Sequence, residues 1–99
     1  MNLLTAQQTT GLGALVNGLG APSKVSAQVI GDGAVSATVV VRGRDILNGT
    51  WITLATITLS GTNADADSFV MVASYFQVQA ELTAVSGTSV RVTAFMGSQ

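Results

Sequence analysis

The chain has 99 residues, of which 47% are hydrophobic, 9% are charged and 5% are aromatic, and it contains neither cysteine nor histidine. These absences exclude a Ser-His-Asp triad, a thiol nucleophile, a disulfide framework, zinc fingers and haem ligation. Five acidic and four basic residues give a net charge of −1, so no basic stripe is available to hold a nucleic-acid backbone. We therefore expect one non-enzymatic domain that uses no cofactor and no metal.

The low charge content indicates that the surface of the protein is unusually apolar. Ordinary soluble domains carry about 25% charged residues, whereas this chain relies on 12 Thr and 9 Ser for surface polarity. Its mean hydropathy of +0.51 is high for a free monomer. We expect a homo-oligomer in which contacts between copies cover part of the apolar surface.

Two charge-free runs, residues 1–23 and 46–64, have about the length of a membrane span. The first is interrupted by glycines and amide side chains and lacks the basic start of a signal peptide. The second alternates Thr with aliphatic residues, which is typical of a strand. We expect no membrane segment, no export signal and synthesis in the cytoplasm.

The chain begins with a segment unlike the rest. Residues 1–23 combine the short apolar start Leu3-Leu4 with four glycines, which predicts an extended N-terminal arm and one or two short strands around residues 12–16. Residues 24–99 form the predicted body. Abundant Val and Thr and a single proline predict that this body is all-β.

The body divides into alternating segments separated by turn-forming residues. Residues 24–30 and 34–42 alternate apolar and polar side chains, and the intervening Gly31-Asp32-Gly33 predicts a hairpin turn that sets Val29 opposite Val35. Further strands are predicted at residues 51–59, 69–72, 75–84 and around 90–96, with loops at 42–50 and 60–67 and a turn at 86–88. The pattern predicts an antiparallel β-sandwich or jelly roll of about seven to eight strands.

Few residues suggest chemistry. Asp65 and Asp67 could present oxygen ligands to calcium, but a solvated turn explains them better. The register of the last hairpin predicts a diagonal ion pair between Glu81 and Arg91. No pair of carboxylates faces a predicted cleft, so we expect no enzyme.

Aromatic and basic residues offer two binding hypotheses. Trp51, Tyr75 and Phe76 could form a platform for sugars if they are exposed, although packing is the more common role of aromatics in an all-β core. Arg42 and Arg44 are expected in an exposed basic loop that could contact an acidic partner.

From Val39 onward the sequence resembles a family of small structural proteins in tailed-bacteriophage virions. The similarity rests on residues 48–59 (NGTWITLATITL), on Ser60-Gly61-Thr62, on the short apolar segment near Phe69 and on residues 82–88 (LTAVSGT). The N-terminal LLTAQ fits more loosely. Where relatives often carry Ser-Asn-Asp-Gly before the Asn-Gly-Thr-Trp stretch, this chain has RGRDIL at residues 42–47.

The resemblance implies a β-sandwich virion component, most often one that decorates or cements the capsid, with a tail or head-to-tail connector component as the alternative. A carbohydrate-binding adhesin module is the other alternative. The implied partners are the major capsid protein and further copies of the chain, which the resemblance suggests form a trimer on the capsid surface. The residues expected at these contacts are Leu3, Leu4, Leu12, Leu15, Arg42 and Arg44.

Overall fold

A computed structural model describes residues 2–17, 23–46, 49–71 and 75–98 and confirms that the chain is all-β. The strands are β1 (Asn2–Gln7), β2 (Gly11–Leu12), β3 (Val16–Asn17), β4 (Ser23–Arg44), β5 (Ile52–Met71) and β6 (Gln77–Ser98). Parts of three predicted segments lie outside the described residues, namely residues 1 and 18–22 of the arm, 47–48 of the first loop and 72 of the short strand.

All six strands belong to one antiparallel sheet. Its order is β1-β6-β4-β5, and β2 and β3 also pair with β6. The predicted N-terminal arm therefore lies along β6 as three short strands, and those near residues 12–16 are close to their predicted positions. On the opposite side of the sheet, β5 pairs with β4 and forms the edge.

The three long strands must bend. A straight strand of 22 residues, the length of β4 and of β6, would span roughly 70 Å at the usual rise per residue. The longest dimension of the protein is 40 Å. The sheet therefore folds back within the length of its own strands.

Backbone angles locate the bend at one level across all three strands. Gly33 in β4, Asn63 in β5, and Gly87 and Ser89 in β6 have φ angles of 77°, 68°, 140° and 53°. The register shifts between Ile30 and Ala34, where residues 31–33 of β4 lie opposite the single residue Asn63 of β5. The Asn63 side-chain oxygen accepts a hydrogen bond of 2.8 Å from the Gly33 amide, which ties β4 to β5 at the bend.

The segments predicted as connections between strands are therefore internal to them. The predicted hairpin turn at 31–33, the loop at 60–67 and the turn at 86–88 are all wrong, because β4, β5 and β6 continue through these residues. Glycine, Asn and Ser reach positive φ in a bulge as readily as in a hairpin turn, and here they bend paired strands without ending them. The described residues form six strands where about seven to eight were expected.

Hydrogen bonds show how the bend brings distant parts of β6 together. The Gly13 amide donates to the Ala80 carbonyl at 2.8 Å, and the neighbouring Ala14 amide donates to the Leu3 carbonyl at 2.9 Å. The next residue after Leu3, Leu4, pairs with Ala94. In a straight strand Ala80 and Ala94 would be roughly 45 Å apart. The N-terminal strands thus bridge the two halves of β6.

The core lies on one face of this bent sheet. The predicted alternation is confirmed. Val25, Ala27 and Val29 share the buried face with every second residue from Val35 to Val41 on the other side of the bend. The predicted pairing is wrong, because Val29 lies between Asp65 and Val92 and does not face Val35. The buried apolar side chains are Leu3, Leu4, Val25, Ala27, Val29, Val35, Ala37, Val39, Val41, Ile57, Leu59, Met71, Val78, Ala80, Leu82, Val90, Val92, Ala94 and Met96.

Candidate interaction surface

A polar cluster covers the outer face of the sheet near the C-terminal end of β4. Arg42 and Arg44 were expected in an exposed loop, but they belong to β4, and both are half-buried on the face opposite the core. Arg42 Nη1 lies 2.7 Å from Glu81 Oε1, and each side chain is about one-third exposed. An ion pair with that exposure stabilises the fold by about 1 kcal/mol at most.

The Glu81 pairing corrects the sequence-based expectation. Glu81 was expected to pair with Arg91, but Arg91 lies opposite Ile30, beyond the bend, whereas Glu81 lies opposite Val40. Because residues 86–88 do not form a hairpin turn, the two halves of β6 are consecutive and do not pair with each other. Arg42, two residues along β4 from Val40, is the cation within reach.

Arg44 is held by two neighbours. Its Nε and Nη2 both donate to Gln77 Oε1, the former at 2.8 Å. Its guanidinium carbon lies 4.5 Å from the centroid of the Trp51 ring, a cation–π contact. Both arginines therefore have partners within the chain, and their planar groups form part of a fixed, hydrogen-bonded surface.

The leucines expected at partner contacts divide into two groups. Leu3 and Leu4 are 0% and 1% exposed and lie in the core. Leu12 in β2 and Leu15, just before β3, are 60% and 48% exposed. Gln79 Nε2 donates to the Gly13 carbonyl at 3.0 Å, which helps hold this segment against β6. Of these four leucines, Leu12 and Leu15 present apolar surface to solvent.

Sequence reasoning missed a second exposed apolar region, on the outer face beyond the bend. Phe95 in β6 and Val70 in β5 are about half-exposed there, and a shallow depression of about 250 Å³ lies beside Phe95 between Ser26 and Ala66. Alternation along β6 contained the signal, because Phe95 stands between the buried Ala94 and Met96.

The same outer face is cationic. Lys24 lies opposite Gly97 and Arg91 lies opposite Ile30, so both flank the Phe95 region along the strands. In the described part of the chain, neither cation has an acidic group within salt-bridge distance.

The aromatic residues proposed as a sugar platform are not fully exposed. Trp51 is half-buried beside Arg44. Tyr75 packs against the core and lies beside Gly43, where an added Cβ would meet its ring at 2.8 Å. Phe76 is about half-exposed. This arrangement suits packing more than sugar stacking.

Asp65 and Asp67 are engaged with backbone amides. Asp65 accepts hydrogen bonds of 2.9 Å from the amides of Ser60 and Ala66, and Asp67 accepts one of 2.8 Å from Ser68. Both acids lie within β5, so the predicted turn is wrong. No group of three or more potential metal ligands occurs among residues 2–17, 23–46, 49–71 and 75–98.

Within the described residues, no helix has the length and hydropathy needed to cross a lipid bilayer. Comparisons with protein-family models, with curated proteins and with solved structures found no match to this chain.

Proposed function

We propose that this chain is a non-enzymatic structural protein of a tailed-bacteriophage virion that decorates or cements the capsid. In this proposal the bent sheet is a β-sandwich of the decoration-protein type. The protein is made in the host cytoplasm and then assembles on the capsid surface, where it contacts the major capsid protein and further copies of itself.

The observation that carries the proposal is the pairing of exposed apolar residues with a very low charge content. Leu12 and Leu15 remain exposed on a segment that is fixed to β6 at the Gly13 amide and carbonyl. Exposed leucines on an ordered segment are typical of surfaces that become buried in an assembly. The resemblance of residues 48–59 and 82–88 to virion proteins indicates which kind of assembly.

The other hypotheses differ in their support. A tail or head-to-tail connector component would use the same apolar surface, so only the binding partner separates it from a decoration protein. A sugar-binding adhesin would need exposed aromatic faces, and the half-buried Trp51 and Tyr75 count against it. We therefore favour assembly over carbohydrate binding.

The test is binding of the purified protein to heads and to tails, each prepared without it from the phage that encodes it. We expect the protein to cosediment with heads. Leu12→Glu combined with Leu15→Glu should abolish cosedimentation, whereas Val70→Glu, which changes a comparably exposed residue beyond the bend, should retain it. Binding to tails alone would favour the connector alternative, and binding to neither particle would contradict the proposal.

A further inference from the structure

The two halves of the outer edge of β5 differ in whether side chains bond to their backbone amides. β5 pairs with β4 along its length and has no strand on its other side among the described residues. An edge strand exposes a row of unpaired amides and carbonyls that can pair with another chain. Another strand can add where these amides and carbonyls have no partner within the chain.

Beyond the bend, the edge is blocked by its own acids. The carboxylates of Asp65 and Asp67 accept hydrogen bonds from the amides of Ala66 and Ser68 in this half, and Asp65 also accepts one from the Ser60 amide just before the bend. These amides are used by side chains on β5 itself, so an incoming strand cannot bond to them without displacing a carboxylate. Charge on an edge strand also opposes addition of another strand.

Before the bend, the edge is open. The register between β4 and β5 is constant from Ala55 to Thr62. The backbone N–H and C=O groups of every second β5 residue in this stretch therefore point to the same side of the strand. Because the Ser60 amide points to the edge, the backbone groups of Thr56 and Thr58 point there too. Within the described structure no side chain caps them. At the far end of this open stretch, Leu54 is an extra residue between the pairs Val41–Ala55 and Arg42–Thr53, and this bulge ends the regular edge.

We propose that this open edge pairs two copies of the chain as a dimer, in place of the trimer that the resemblance suggests. The two edges run antiparallel, with Thr56 of one copy opposite Thr58 of the second copy. Each of these threonines would exchange an amide and a carbonyl hydrogen bond with its counterpart. The side chains of the two residues lie on the exposed outer face, so the pairing also brings threonine hydroxyls and methyls into contact across the new junction.

A second copy fits this edge because the segment is complementary to itself. A two-fold axis through Ile57 places equivalent residues of both copies in register, and a two-fold interface of this kind closes without further growth. Residues 46–64 contain no charge, so pairing them brings no like charges together. The carboxylate caps and the Leu54 bulge limit the contact to the same short stretch in each copy.

The test measures mass in solution as protein concentration rises. The wild type should shift from the 10.0 kDa of one chain to twice that value. Thr58→Pro removes an amide that points away from β4, a position where an edge strand tolerates proline. It should weaken dimerisation by about tenfold or more, since each dimer loses the two Thr58 amides and so half of the proposed hydrogen bonds across the axis. Thr58→Val keeps the amide and is the matched control, which should dimerise like the wild type.

A second variant guards against misfolding caused by proline. Thr56→Lys with Thr58→Lys keeps every amide but places cations opposite cations, and it should remain monomeric with an unchanged circular-dichroism spectrum. The proposal is overturned if the wild type stays at the mass of one chain, if it forms trimers, or if folded Thr58→Pro and the double lysine variant dimerise normally. These readouts use no capsid, so they succeed or fail separately from the proposed function.

Discussion

Replacing Gly87 with valine tests whether the bend in β6 depends on glycine. Gly87 has a φ of 140°, a region that L-residues rarely adopt. The site is also crowded, because an added Cβ would lie 3.1 Å from Val35 Cγ1 and 3.2 Å from the Ala34 carbonyl oxygen. The carbonyl belongs to a paired strand and cannot move easily.

These two effects set the expected magnitude. Forcing a non-glycine residue into such a conformation costs about 1 to 3 kcal/mol, and the close contact with backbone adds to that cost. For a domain of this size, each kcal/mol lowers the melting temperature by roughly 4 to 8 °C. Gly87→Val should therefore melt at least several degrees below the wild type.

Substitutions at two further glycines separate backbone strain from steric crowding in the same melting experiment. Gly33 has a φ of 77° but open space around its would-be Cβ, so Gly33→Ala measures backbone strain alone and should cost about 1 kcal/mol. At Gly97 the Cβ would meet only the half-exposed Phe95 ring, and Gly97→Ala should change stability by less than about 0.5 kcal/mol. If Gly87→Val has the same melting temperature as Gly97→Ala, the bend does not depend on glycine at position 87.

Three other predictions follow from the described contacts. Leu3→Ala should destabilise the protein by about 2 to 5 kcal/mol in denaturant unfolding because Leu3 is fully buried, whereas Leu12→Ala should change stability by less than about 0.5 kcal/mol. A double-mutant cycle on Arg42 and Glu81 should give a coupling of about 1 kcal/mol or less that falls with added salt, and a salt-independent coupling would contradict the partly exposed pair. Melting curves with calcium and with a chelator should coincide because the β5 carboxylates already accept amide hydrogen bonds, and a shift of many degrees would overturn this expectation.

Alternation along the strands was the part of the fold that sequence could predict. A period of two places Val25 and Val29 on one face whatever strand lies beside them, because the alternation is a property of the extended backbone. The same face continues at Val35 because Val35 is six positions, an even number, after Val29. The common buried face was therefore predictable across the bend, although the pairing was not.

Connectivity was the part that local signals could not supply. Gly31-Asp32-Gly33 has the composition of a hairpin turn, yet it forms a bulge because β5 and β6 carry positive-φ residues at the same level. Only the alignment of three separate segments shows that all of them bend together. The error over the Glu81 partner has the same origin, since it assumed a turn at 86–88.

The placement of Leu3 and Leu4 shows how the bend determines which residues remain available for partners. As the sheet folds back, the N-terminal strands run across both halves of β6, and the Ala14 amide bonds to the Leu3 carbonyl between them. Leu3 and Leu4 then contribute to the core, so deleting the N-terminal segment would destabilise the fold as well as remove any contact. Substituting Leu12 and Leu15 changes exposed side chains only. It is therefore the cleaner way to ask whether this segment holds the protein to a larger assembly.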